Sequence, residues 1–100
     1  MALALDPMLR TQIDRAVKRR LNGQPYQAFY FGSRVRGDNF DRADIDIGID
    51  GPASLPATLQ FAILDDLETL PTLLKFDLVD FYGLSPSFRE HATASMELIV

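Results

Sequence analysis

Asp44 and Asp46 are separated by one isoleucine in the run ADIDIGID, which ends at Asp50. Two residues apart on an extended chain, both carboxylates leave the backbone on the same side. Unpaired, they repel and raise each other's pKa. A divalent cation removes that cost. An all-oxygen donor set selects a hard ion, and Mg2+ is held by one or two carboxylates while substrate phosphates complete its octahedron. An anion cradle is therefore expected nearby. Gly32-Ser33 offers one. A glycine at a strand end lets backbone amides approach a phosphate, and a helical turn after it would aim free N–H groups at the anion. Ser33 adds a hydroxyl donor. Arg34 and Arg36 either add charge against phosphate or pair with Asp38 and Asp41, and the residues alone leave both readings open. A third carboxylate should come from an adjoining strand. The run FDLVDF offers Asp77 and Asp80, which alternate to opposite faces. One of them is expected to complete a two-metal clamp that steadies the entering and leaving oxygens of an in-line displacement at phosphorus.

The elements that must position these groups can be read from spacing. Asp6-Pro7 reads as an N-cap followed by proline at the first helical position. Leu9, Ile13, Ala16, Val17 and Leu21 follow helical spacing, and Asn22-Gly23 with Pro25 ends that helix. Tyr26 to Phe31 reads as a short buried strand broken by Gly32-Ser33. Ser33 to Arg36 allows one helical turn, and Asp38 to Arg42 is a polar loop. Asp44 to Asp50 alternates, with Ile45, Ile47 and Ile49 toward the core and Asp44, Asp46, Gly48 and Asp50 on the other face. After the Gly51-Pro52 turn, Pro56 to Leu70 carries an apolar stripe of Leu59, Ala62, Ile63, Leu67 and Leu70. Lys75 to Tyr82 is a third strand. Ser87 to Leu98 is expected to be a final helix, with Phe88, Ala92, Ser95 and Ile99 spaced for packing. The order α-β-β-α-β-α predicts an α+β fold, a small mixed sheet backed by helices. The second and third strands flank a right-handed parallel crossover. The first two are compatible with antiparallel pairing.

The 100 residues suit one domain, here residues 1–100, with a single modest core. Cysteine is absent, which excludes a disulfide framework and a thiolate site. No apolar run reaches the length of a membrane span, and MALALDP lacks the features of a signal peptide, so a cytoplasmic protein is expected. A net charge of −4 argues against a nucleic-acid binder that relies on phosphate contacts. Arg10, Arg15, Lys18, Arg19 and Arg20 crowd the first helix and read as a solvated face.

Gly32-Ser33, ten intervening residues and then Asp44-x-Asp46 resembles the signature of the DNA polymerase β-like nucleotidyltransferases. The fuller GSRVRGDNFDRADIDIGI and the later KFDLVDF are similar to the minimal nucleotidyltransferases (MNT) of that superfamily, often the antitoxin of a pair with a helical HEPN toxin. The resemblance spans Tyr26 to Phe81. It implies AMP transfer from ATP with two Mg2+ ions. Gly32 and Ser33 would grip the triphosphate, with Arg34 and Arg36 beside it. Asp44 and Asp46 would bind the metals, and Asp77 would be the third metal-binding carboxylate and help activate the acceptor oxygen. The implied acceptor is a tyrosine hydroxyl on a HEPN-type partner, held in a hetero-oligomer; a homodimer stays open. Two features depart from the family pattern. Ala43 stands where a serine often precedes the first aspartate, and the C-terminal segment lacks the usual glycine and terminal tyrosine.

Blander readings exist for each residue. Gly32-Ser33 alone is an ordinary turn. Asp44 and Asp46 alone suit the solvated face of an edge strand. Asp80 reads as a solvent-facing or salt-bridged carboxylate. The lone His91 reads as a surface or packing residue. Tyr26, Phe29, Tyr30 and Phe31 read as core, with one ring able to stack on a base. A calcium loop does not fit, because the sixth position from Asp44 is Ile49 and the twelfth is Leu55. Two other functions fit the same residues: a non-catalytic nucleotide-binding antitoxin acting by occlusion, and nucleotidylation of a small molecule in a pocket supplied by a partner.

Overall fold

The computed structural model describes residues 5–32, 35 and 44–100. Helix α1 (Pro7–Leu21) opens as expected: the Asp6 carboxylate accepts the Leu9 amide at 3.0 Å, and Pro7 occupies the first turn. Strand β1 (Gln27–Phe31) pairs antiparallel with β2 (Ile45–Asp50), Phe31 standing opposite Asp46. Helix α2 (Ala57–Glu68) crosses over to β3 (Phe76–Asp80), which lies parallel to β2. Helix α3 (Pro86–Thr93) follows, and a two-residue strand β4 (Glu97–Leu98) pairs antiparallel with β1. The sheet order is β3-β2-β1-β4, a mixed sheet with helices against it, as the alternation of elements implies.

The final segment departs from the expected helix. It stops at Thr93, and Ile99 reaches the core from an extended chain instead. Without β4 the outer edge of β1 would leave backbone groups unpaired. The Ile99 amide instead donates to the Ala28 carbonyl at 2.7 Å, and the Ala28 amide to the Val100 carbonyl at 3.0 Å. An eight-residue helix that buries only Ala92 offers little to oppose that pairing.

The two faces of the sheet carry different cores. Ile45, Ile47, Ile49, Ala28, Tyr30 and Leu78 meet α1 and α2 through Ile13, Val17, Ile63 and Leu67. The opposite face, which carries Asp46 and Asp50, is partly apolar. Phe29, Phe31 and Phe81 form an edge-to-face cluster beside Ala92, with ring centroids 4.9 Å apart for Phe29–Phe81 and 5.2 Å for Phe31–Phe81. Gly48 belongs to this cluster rather than to a solvated face. A Cβ there would stand 2.6 Å from the Phe29 ring and 2.7 Å from the Phe81 ring.

The basic face of α1 is only partly solvated. Arg20 forks onto Asp66 of α2 at 2.6 and 3.1 Å, and Arg10 bonds Glu97 at 2.8 Å while lying over the Tyr30 ring. Burial, then a hydrogen bond to Asp14, pushes the Tyr30 phenol well above its ordinary pKa. These contacts clamp α1 to α2 and to the short strand β4. Arg15 and Lys18 remain exposed, as predicted.

Candidate active site

The C-terminal end of β1 and the N-terminal ends of β2 and β3 converge at one rim of the sheet, because β2 runs antiparallel to β1 and parallel to β3. Gly32 follows β1 at that rim with φ +85°, the left-handed region that favours glycine. Its missing side chain matters as much as its backbone. A Cβ on Gly32 would lie 2.2 Å from Oδ2 of Asp46, far inside van der Waals contact. The glycine and the second aspartate of the motif are therefore packed against each other, although fourteen positions separate them. Beyond Gly32, the amide of the buried Val35 donates to the Gly32 carbonyl at 3.2 Å.

Asp77 stands directly opposite Asp46 in the parallel register of β2 and β3, so the two carboxylates share a face. Asp44 lies one residue before β2 and is exposed, as is Asp77, while Asp46 is half-buried. The register separates Asp77 from Asp80 as alternation requires. Asp80 pairs with Ile49 and belongs to the other face. There it accepts hydrogen bonds from the Ser54 hydroxyl at 2.8 Å, the Leu55 amide at 2.9 Å and the Tyr82 amide at 3.0 Å. Burial alone would raise the Asp80 pKa. The amides of Leu55 and Tyr82 and the Ser54 hydroxyl outweigh it and hold the carboxyl below its ordinary value. Asp80 is a latch that closes the loop before α2 onto the end of β3.

The donor chemistry fits a hard divalent cation: carboxylates only, on one face, beside a position kept open by glycine. Among the described residues no three His, Cys, Asp or Glu side chains are gathered closely enough to make a metal site unaided. A cation held by these aspartates would draw the rest of its shell from phosphate or water, which is how Mg2+ is ordinarily bound. Ser33, Arg34, Arg36, Asp38, Asp41 and Arg42, with the expected helical turn and polar loop, lie outside the described residues. His91 is exposed on α3, away from this rim.

Asp44 also borders a groove with Leu73, Leu74 and Lys75. Sequence spacing did not single out these residues. The parallel register brings them here, the Ile45 amide donating to the Lys75 carbonyl at 2.9 Å.

A protein-family model described as "Polymerase beta, Nucleotidyltransferase" matches residues 12–100. Among solved structures, one described as a toxin–antitoxin with AMP-PNP aligns with a TM-score of 0.65 at 18% identity, covering 87% of this chain and 72% of that chain. A complex of tri-AMPylated HEPN toxin from Shewanella oneidensis with MNT antitoxin aligns with a TM-score of 0.65 at 16% identity, covering 93% and 70%. A further structure from Shewanella oneidensis gives 0.66 at 16% identity, covering 96% and 72%. At these identities the likeness is one of fold. No curated protein matches the chain. Among the described residues no helix is long and apolar enough to cross a membrane.

Proposed function

Because the chain belongs to the polymerase beta nucleotidyltransferase family, we propose that residues 1–100 act as one domain that transfers AMP from ATP to a hydroxyl on a protein partner. The observation that carries this reading is the packing of Gly32 against Asp46 with Asp77 in register beside it. It supports an anion cradle after β1 beside a carboxylate pair at the same rim of the sheet.

Gly32 and Ser33 hold the triphosphate through backbone amides and the Ser33 hydroxyl, and Arg34 and Arg36 add positive charge beside it. Asp44, Asp46 and Asp77 would hold two Mg2+ ions together with phosphate and water oxygens. Bound there, Mg2+ would supply neutralisation of the phosphate charge. Asp77, outermost of the three, orients the acceptor hydroxyl and draws its proton. The acceptor oxygen bonds to the α-phosphorus as the bond to the pyrophosphate oxygen breaks. The strand order β3-β2-β1-β4 supports a line of attack in which the cradle after β1 takes the leaving group and β3 takes the entering one. Solved complexes of this fold include an AMP-PNP structure and an AMPylated HEPN toxin with its MNT antitoxin. They favour a HEPN-type partner, and the tyrosine acceptor is what the motif's resemblance to minimal nucleotidyltransferases implies.

Incubation with ATP, Mg2+ and the purified partner, followed by intact-mass spectrometry, tests the reading. The expected result is a partner heavier by one or more AMP units, dependent on Mg2+, with stoichiometric pyrophosphate. A partner bound tightly and inactivated without a mass change would replace transfer with occlusion.

A further inference from the structure

The groove bordered by Asp44, Leu73, Leu74 and Lys75 lies on the β3 side of the carboxylates, opposite the Gly32 cradle. β3 is an edge strand, so a macromolecular acceptor can reach it without crossing the sheet. Leu73 is fully exposed, at 101%. Lys75 is exposed and forms no ion pair among the described residues, although Asp44 lines the same groove. An isolated cation and a bare leucine beside the carboxylates have no evident use in holding ATP, whose phosphates belong at Gly32. We propose that this groove is the acceptor subsite, in which Leu73 packs against the ring or stem carrying the hydroxyl and Lys75 pairs with an anionic group next to that hydroxyl.

The inference rests on the transferase reading above. In-line attack requires the acceptor to enter from the side away from pyrophosphate, and that side is the one Lys75 occupies. The anion can be a carboxylate of the acceptor protein or the phosphate of an AMP already attached to it; either meets Lys75 in the same way.

Steady-state transfer by Lys75→Glu and Lys75→Arg, with partner and ATP varied separately, is the test. Lys75→Glu is expected to raise the KM for the acceptor about tenfold or more while the KM for ATP stays within about twofold. Lys75→Arg should remain near wild type. A defect already present in the first AMP addition identifies a carboxylate of the acceptor. A defect confined to second and later additions identifies the attached phosphate. An unchanged acceptor KM in Lys75→Glu, or an equal rise in the KM for ATP, overturns the subsite and leaves the transferase standing. No pyrophosphate release by the wild-type chain with its partner overturns the transferase itself, and the subsite with it.

Discussion

The two ends of the β2–β3 ribbon carry aspartates in opposite circumstances. At the C-terminal end every carboxylate is answered by the fold. Asp50 takes the Arg89 guanidinium at 2.5 Å, and Arg89 also reaches the Phe81 carbonyl at 2.6 Å, pinning α3 to the sheet. Asp80 takes two backbone amides and a hydroxyl. At the N-terminal end no hydrogen bond or ion pair among the described residues reaches Asp44 or Asp77. Both are exposed on the face they share with Asp46. Asp50 and Asp80 are thus committed to stability at one end, while Asp44 and Asp77 are left available for a ligand at the other. A carboxylate that closes a loop cannot also exchange ligands during a reaction.

Removing a charge at the open end should have the largest effect. Asp46→Asn is expected to lower Mg2+-dependent transfer by about a thousandfold or more, because the oxygen ligands that localise charge at phosphorus are weakened. Wild-type pyrophosphate release by this variant would end the metal-site reading. Gly32→Ala strains both the carboxylate and the backbone. We expect a cost of about 1–3 kcal/mol in chemical denaturation, and a loss of transfer of about a hundredfold, from misplacement of Asp46. A fully active, fully stable alanine variant would contradict the close packing of the glycine on the aspartate.

Exchanging the roles of the two ends sharpens the contrast further. Asp80→Ala leaves the partly buried Leu55 amide without its acceptor and should cost about 1–2 kcal/mol with little effect on chemistry in the folded fraction. Asp77→Ala should do the reverse, abolishing transfer with an unchanged unfolding midpoint. The smallest effect is on pH. The folded pKa values of Asp66 and Asp80 lie below their ordinary values, for Asp66 chiefly through its hydrogen bond from Arg20. Their stabilisation is therefore complete above the unfolded pKa of about 3.9 and is lost as pH falls through the folded values. A scan of unfolding midpoint against pH should fall in that acid range, and Asp80→Asn should flatten the fall. Unchanged acid sensitivity in Asp80→Asn would mean the latch contributes nothing.

Much of the molecule was legible before folding. The proline and aspartate at the head of α1, the apolar stripes of α1 and α2, and the alternation through Ile45, Ile47 and Ile49 are local patterns with a 3.6- or 2-residue period, and they specify element type directly. The same alternation separated Asp77 from Asp80, because side chains three apart on a strand cannot share a face. What local pattern could not supply was anything set by partners distant in the chain. The fate of residues 94–100 depended on the unpaired edge of β1, which outweighed the helical spacing of Phe88, Ala92, Ser95 and Ile99. Alternation put Gly48 on the face away from the isoleucines, but only Phe29 and Phe81, arriving from other strands, decide what occupies the space above it. Lys75 acquired its place beside Asp44 through the parallel register of β2 and β3, and Gly32 acquired its contact with Asp46 through the antiparallel register of β1 and β2. Residue types and their periods are written along one chain, whereas register and close contact are properties of two segments at once, settled only when the whole sheet is paired and its two cores are packed.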